Sequence, residues 1–201
     1  MNAAAELLDV NRSVLVVIDE QGKLVEMVER PRMLLGNTVR LLKLAEMYRV
    51  PVILTEQYPK GLGPTQADVL AAYDALTGWK RRVEKTSFGC CGDSGFRDAL
   101  DGARPGLAAA RRQVVVAGIE AHVCVMQTVL ALLQEGHAVQ VVWDAVSSRG
   151  AEYRERALQR LAAAGAVLTN HESVGFEWAR DKEHACFKSM SALFREGQIT
   201  G

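Results

Sequence analysis

A chain of 201 residues is about what one hydrophobic core supports, and 49% hydrophobic residues is the composition of a compact domain, so both argue against disorder and against several domains. Lys+Arg 24 against Asp+Glu 24 leaves no net charge, hence no overall basic field to hold a nucleic-acid backbone or an anionic membrane. The longest uncharged apolar stretch, near Val114 to Ile119, falls far short of the roughly 20 residues that span a bilayer.

Met1–Asp9 carries two acids and no basic region before an apolar run, which is not a secretory signal, so the expected compartment is the cytoplasm. Ser13–Ile18 (SVLVVI) is the first candidate strand and ends in Asp19, followed by Glu20 and Gln21. Arg32–Tyr48 places Leu35, Val39, Leu42 and Met47 in a helical stripe. Pro51–Thr55 (PVILT) predicts a second strand, Tyr58–Thr65 (YPKGLGPT) a Pro/Gly-rich loop, and Arg81–Glu84 a weaker strand followed by Lys85. Gln113–Ala117 (QVVVA) leads through Gly118 into a helix over Ala121–Gln134 whose first turn holds Cys124. Strands over Ala138–Trp143 and Ala166–Leu168 flank a helix over Glu152–Ala164, and Gly136 and Gly165 stand where helix C-caps belong. Continuous Val/Ile runs mean strands covered on both faces. The expected fold is therefore a three-layer α/β/α sandwich, Rossmann-like, with a mostly parallel sheet of about six strands in a single domain over 1–201.

Such sheets bind ligands beyond the C-terminal ends of their strands. Asp19, Lys85 and Cys124 each follow a candidate strand there. A helix N-terminus and a nearby lysine both favour a thiolate, which makes Cys124 the candidate nucleophile. Cys90, Cys91, Cys124 and Cys186 show no CxxC spacing, so reduced thiols are expected, and Cys90 and Cys91 read as loop packing.

These residues carry a family resemblance. VLVVIDEQ (14–21), TEQYPKGLGPT (55–65), EKTSFGCCGD (84–93), VVVAGIEAHVCVMQT (114–128) and DAVSSR (144–149) resemble, in order, the isochorismatase-like cysteine hydrolases, which include nicotinamidases and N-carbamoylsarcosine amidases. The set is most similar to the isochorismatase domain-containing proteins. The resemblance implies an Asp19–Lys85–Cys124 triad that hydrolyses a small amide through a thioester. It also implies a cis Ile119–Glu120 peptide that turns the Glu120 and Cys124 N–H groups toward an oxyanion, and a homo-oligomeric assembly.

Gln21, Tyr58, Phe88, Glu120 and His122 adjoin the strand ends and are candidate pocket residues, with packing, and for Glu120 helix capping, as the alternative in each case. Asp144, Ser147, Ser148 and Arg149 shape the next loop by capping or by ligand contact. Nicotinamidases bind a metal through Asp-x-His after the second strand. Here the chain reads Thr55-Glu56-Gln57-Tyr58-Pro59 with no histidine before His122, so no metal or cofactor is expected, nor any nucleic-acid or membrane partner. Gly61-Leu62-Gly63 lacks the rest of GxGxxG, which argues against a nucleotide-binding domain. A catalytically silent or thiol-sensing protein, or a hydrolase acting on an ether, remains an open alternative.

Overall fold

The computed structural model describes residues 6–195; the leader reading of Met1–Asp9 lies outside them in its first five residues. In chain order the elements are β1 (Ser13–Ile18), α1 (Gly22–Glu26), α2 (Pro31–Tyr48), β2 (Val52–Gln57), α3 (Pro59–Leu62), α4 (Ala67–Asp74), β3 (Lys80–Lys85), α5 (Ser94–Ala103) and β4 (Gln113–Ile119). A π turn over Ala121–Val125 then continues into α6 (Met126–Gln134), followed by β5 (Ala138–Ser147), α7 (Ala151–Ala163), β6 (Val167–Thr169), α8 (His171–Ala179) and α9 (Phe187–Arg195). The sheet order is β3-β2-β1-β4-β5-β6 and every pair is parallel.

Alternation along the strands divides the core into two layers, because successive side chains leave a strand on opposite faces. Val14, Val16 and Ile18 of β1 pack with Phe96 of α5, Val129 of α6 and Leu161 of α7. Leu15 and Val17 meet Leu41 of α2, Val69 of α4, Trp178 of α8 and Met190 of α9. The stripe expected on α2 is shifted: Leu34, Leu41, Leu42, Ala45 and Tyr48 are buried, whereas Leu35, Val39 and Met47 are only partly covered. That helix meets α4 and α9 as well as the sheet, so its apolar surface exceeds one stripe.

Several strands run further than their apolar letters suggest, β2 reaching Gln57 and β4 Ile119. β3 sits at the sheet edge, where charged side chains can leave on the solvent side, so its Lys/Arg/Glu content hides six paired residues. β5 passes through exposed Trp143 and Asp144 to Ser147, with a register shift opposite Val116 and Gly118. Gly136 and Gly165 adopt left-handed φ of 87° and 104° as C-caps, each followed by an amide that reaches back to the preceding helix.

Gly118 matters most for the site. It pairs with Ile18 across the β1–β4 junction at φ 120°, and a Cβ there would lie 2.1 Å from the Ile18 carbonyl oxygen. Neither backbone can yield without moving the strand ends that carry Asp19 and Glu120. Gly118→Ala is expected to destabilise by at least about 2–3 kcal/mol, a Tm drop of roughly 5–10 °C in a thermal melt. An unchanged melt would show that the two strands can separate at no cost.

Candidate active site

The sheet reverses its order between β1 and β4, so the crevice beyond their carboxyl ends is the expected ligand position. A cavity of about 240 Å³ lies there, lined by Asp19, Gln57, Phe88, Glu120, Cys124 and Arg149 with Leu24, Leu62, Ile119 and Val123. Asp19 leaves β1 in a left-handed conformation (φ 53°), which directs it and Glu20 to different sides of the sheet edge. Its Oδ1 accepts from Thr55 Oγ1 at 2.7 Å and its Oδ2 from Lys85 Nζ at 2.6 Å. Lys85 Nζ also donates to Gln57 Oε1 at 2.8 Å and to the Ser87 and Phe88 carbonyls at 3.1 Å each. Both partners are almost fully buried, so the ammonium and the carboxylate each depend on the other and on these neutral ligands in place of water.

Cys124 sits in the π turn rather than in an α-helical first turn. The Val123 and Val125 amides both return to the Glu120 carbonyl, at 2.9 and 3.2 Å, and the Ile119–Glu120 peptide is cis. Thr128 Oγ1 donates to the Cys124 carbonyl at 2.7 Å and accepts from Cys90 N–H at 2.9 Å, clamping the loop after Lys85 onto the start of α6. Contrary to the expected thiolate, burial pushes the Cys124 thiol up, and the charge of the Asp19 carboxylate adds to this; Lys85 only partly opposes them. Here the loss of water outweighs what the helix end and the Lys85 ammonium offer the anion, and the Asp19 carboxylate disfavours it further. Burial likewise raises Cys90 to about 11 and Cys91 to about 12, in keeping with packed loop thiols.

Of the other candidates, Phe88 and Glu120 line the cavity and three do not. Gln21 is consumed in buried ties: it accepts from Gln57 N–H at 2.6 Å and donates to the Gly63 carbonyl at 2.6 Å, holding β2 to the loop before α4. Tyr58 is exposed and faces a different hollow shared with Lys60, Glu84 and Asp93. His122 bonds Ser148 Oγ at 3.0 Å through Nδ1 and stacks on Tyr153. Glu120 makes no cap. Its carboxylate takes Arg149 N–H and Nε at 3.0 Å and Arg149 Nη2 as well, a paired fork that holds the carboxyl below its ordinary value.

Asp144 accepts from His171 N–H at 3.0 Å and pairs with His171 Nδ1 at 2.6 Å, so it fastens β5 to α8 and stands outside the cavity. Arg149, read from the sequence as shaping its loop by capping or by ligand contact, lines the cavity, whereas Gln57 was not singled out as a cavity residue. Gln57 was hidden because β2 appeared to end at Thr55, and Leu24 and Leu62 lie on short helices with no periodicity to mark them. Among the described residues no group of three or more His, Cys, Asp or Glu is arranged to hold a metal.

An all-parallel six-stranded sheet with helices on both faces and a polar cluster at its switch point defines an isochorismatase-like α/β fold. The chain belongs to the isochorismatase family, whose domain model matches residues 13–173. Human isochorismatase domain-containing protein 2 is 37% identical over 184 residues, covering 92% of this chain and 83% of the relative. Among solved structures, one described as MAR1 ribonuclease from Caenorhabditis elegans aligns with a TM-score of 0.84 at 33% identity, over 94% of this chain and 93% of that one. The YcaC gene product of Escherichia coli, described as an octameric hydrolase of unknown specificity, aligns at 0.81 and 26% identity, over 94% and 89%.

Proposed function

We propose that the protein is a cysteine-dependent hydrolase of a small amide, with Asp19, Lys85 and Cys124 as its catalytic residues and a thioester as its intermediate. The observation that carries this reading is that Cys124 and Asp19 line one small cavity and that the Asp19 carboxylate is itself 2.6 Å from the buried Lys85 ammonium. In the first step the S–H bond breaks, its proton passes to Asp19, and the sulfur pair bonds the amide carbon while the C=O pair moves to oxygen. The backbone N–H groups of Glu120 and Cys124 are the assigned donors to that oxygen. Collapse then breaks the C–N bond, and the amine leaves with the proton from Asp19. Water gives a proton to Asp19 and attacks the thioester; the sulfur leaves and recovers that proton.

Burial gives this sequence its logic. Proton transfer moves one negative charge from Asp19 to sulfur while Lys85 stays beside both, so the net charge of the dry site never changes. A thiol that stays protonated until a substrate arrives suits such a mechanism. The modest volume and largely apolar walls favour a small molecule over a polynucleotide, and the octamer described for YcaC supports a homo-oligomeric assembly.

The test is release of ammonia or amine from a panel of simple aliphatic and aromatic amides. The intact protein is expected to turn over at least one, and Cys124→Ala to lose all release while keeping the wild-type melting temperature within a few degrees. Equal release by Cys124→Ala would overturn covalent catalysis. No release from any amide, with Cys124 nonetheless reactive, would favour the thiol-sensing alternative.

A further inference from the structure

The charges around the cavity are already matched. Lys85 neutralises Asp19 at 2.6 Å, and Arg149, a half-exposed wall residue, commits its Nε and Nη2 to the Glu120 carboxylate. Gln57, the remaining polar wall, is also committed, with Oε1 accepting from Lys85 Nζ at 2.8 Å and Nε2 donating to the Thr86 carbonyl at 2.7 Å. What is left facing a ligand is the reacting cluster and hydrocarbon: Leu24, Leu62, Ile119, Val123 and the Phe88 ring. A volume of about 240 Å³ holds roughly eight water-sized groups, hence an amide and about five further carbons.

From this we propose that the site takes small uncharged amides with an unsubstituted apolar acyl chain, and that the Glu120–Arg149 pair closes it to carboxylates. The inference rests on the reading of Cys124 as nucleophile and specifies that site's substrate class. A carboxylate or ammonium at the far end of the acyl chain would lose water and have to compete with an existing ion pair for any partner, because each wall charge already faces an opposite one. The same holds, more weakly, for a hydroxyl. Glu120 thereby acts on specificity through Arg149: while it holds the guanidinium fork, the cavity's one exposed cation is withheld from anions.

The experiment is titration of the full-length Cys124→Ala protein, which cannot turn substrate over, with butyramide, pentanamide, succinamate and 4-aminobutyramide, followed by the methyl NMR signals of Leu62 and Val123. Butyramide and pentanamide are expected to shift those signals with at least tenfold higher affinity than the charged amides of similar length. In Glu120→Gln on the same background, the freed Arg149 should improve succinamate binding about tenfold relative to pentanamide. Equal or tighter binding of succinamate or 4-aminobutyramide to the Cys124→Ala protein overturns the assignment, as does the absence of any shift with the neutral amides. If Glu120→Gln does not fold, the comparison in the Cys124→Ala protein decides alone. Because binding is read without turnover, neutral amides that bind but are never hydrolysed by the wild type would defeat the hydrolase reading and leave the ligand class standing.

Discussion

Asp19→Asn is expected to abolish amide turnover, by about 10³-fold or more, and to destabilise the protein by about 3–5 kcal/mol. The two effects have different origins. Turnover fails because the amide side chain of Asn cannot take the Cys124 proton. Stability falls because Lys85, fully buried, loses the one anion beside it while Gln57 and two carbonyls remain as its neutral ligands. The double variant Asp19→Asn/Lys85→Met separates them, since replacing both charges leaves no stranded ion. It should recover most of the lost stability in a urea or thermal melt and none of the turnover. A double variant as unstable as the sum of the two single ones would mean that the charges do not act as a pair, and wild-type turnover in Asp19→Asn would remove Asp19 as the base.

Glu20→Gln is expected to stabilise the protein, increasingly so toward alkaline pH. Glu20 follows Asp19 yet leaves the strand end on the α2 side, where Oε1 accepts from Thr38 Oγ1 at 2.7 Å and Oε2 has no partner among the described residues. Complete burial pushes its carboxyl from 4.5 up to about 8, and the Thr38 hydrogen bond only partly opposes this. Between those two values the folded state keeps the proton and the unfolded state has lost it, so unfolding releases a proton and stability falls as pH rises through that window. The contribution is full below about pH 4.5 and gone above about 8, on the order of 5 kcal/mol in all. Glutamine resembles the protonated acid and carries no such slope. The gap in Tm between Glu20→Gln and wild type should therefore be small at pH 5 and reach on the order of 10 °C at pH 8. Parallel Tm curves across this range would show that Glu20 ionises in the folded protein as freely as in the unfolded one.

No helix among the described residues is long and apolar enough to cross a membrane, as the short uncharged runs anticipate. Strand positions were legible because Val/Ile runs such as SVLVVI and QVVVA have only one stable environment, a strand buried on both faces, and that environment also dictates parallel pairing between helix layers. Strands read short where their ends carry polar or charged side chains: Gln57 and Lys85 close β2 and β3, Gln57 lining the cavity and Lys85 buried against Asp19. A charged residue at such a position looks like the start of a loop. Its burial depends on a partner from another part of the chain.

The sequence by itself determined the layered α/β architecture, the strand ends at which chemistry collects, and, through its motifs, the family. Local periodicity and turn chemistry act over a few residues, and those are the distances at which backbone conformation is chosen. Only the tertiary structure decided which polar side chains share a cavity and in what ionisation state. Arg149 meets Glu120 across 29 positions and Lys85 meets Asp19 across 66. Gln21 faces inward to hold a loop while Phe88 faces the cavity. The Cys124 thiol keeps its proton because of how deeply it is buried and which carboxylate lies against it. Desolvation and Coulomb terms depend on distances between segments remote in the chain, and those distances exist only once the sheet has brought the strand ends together.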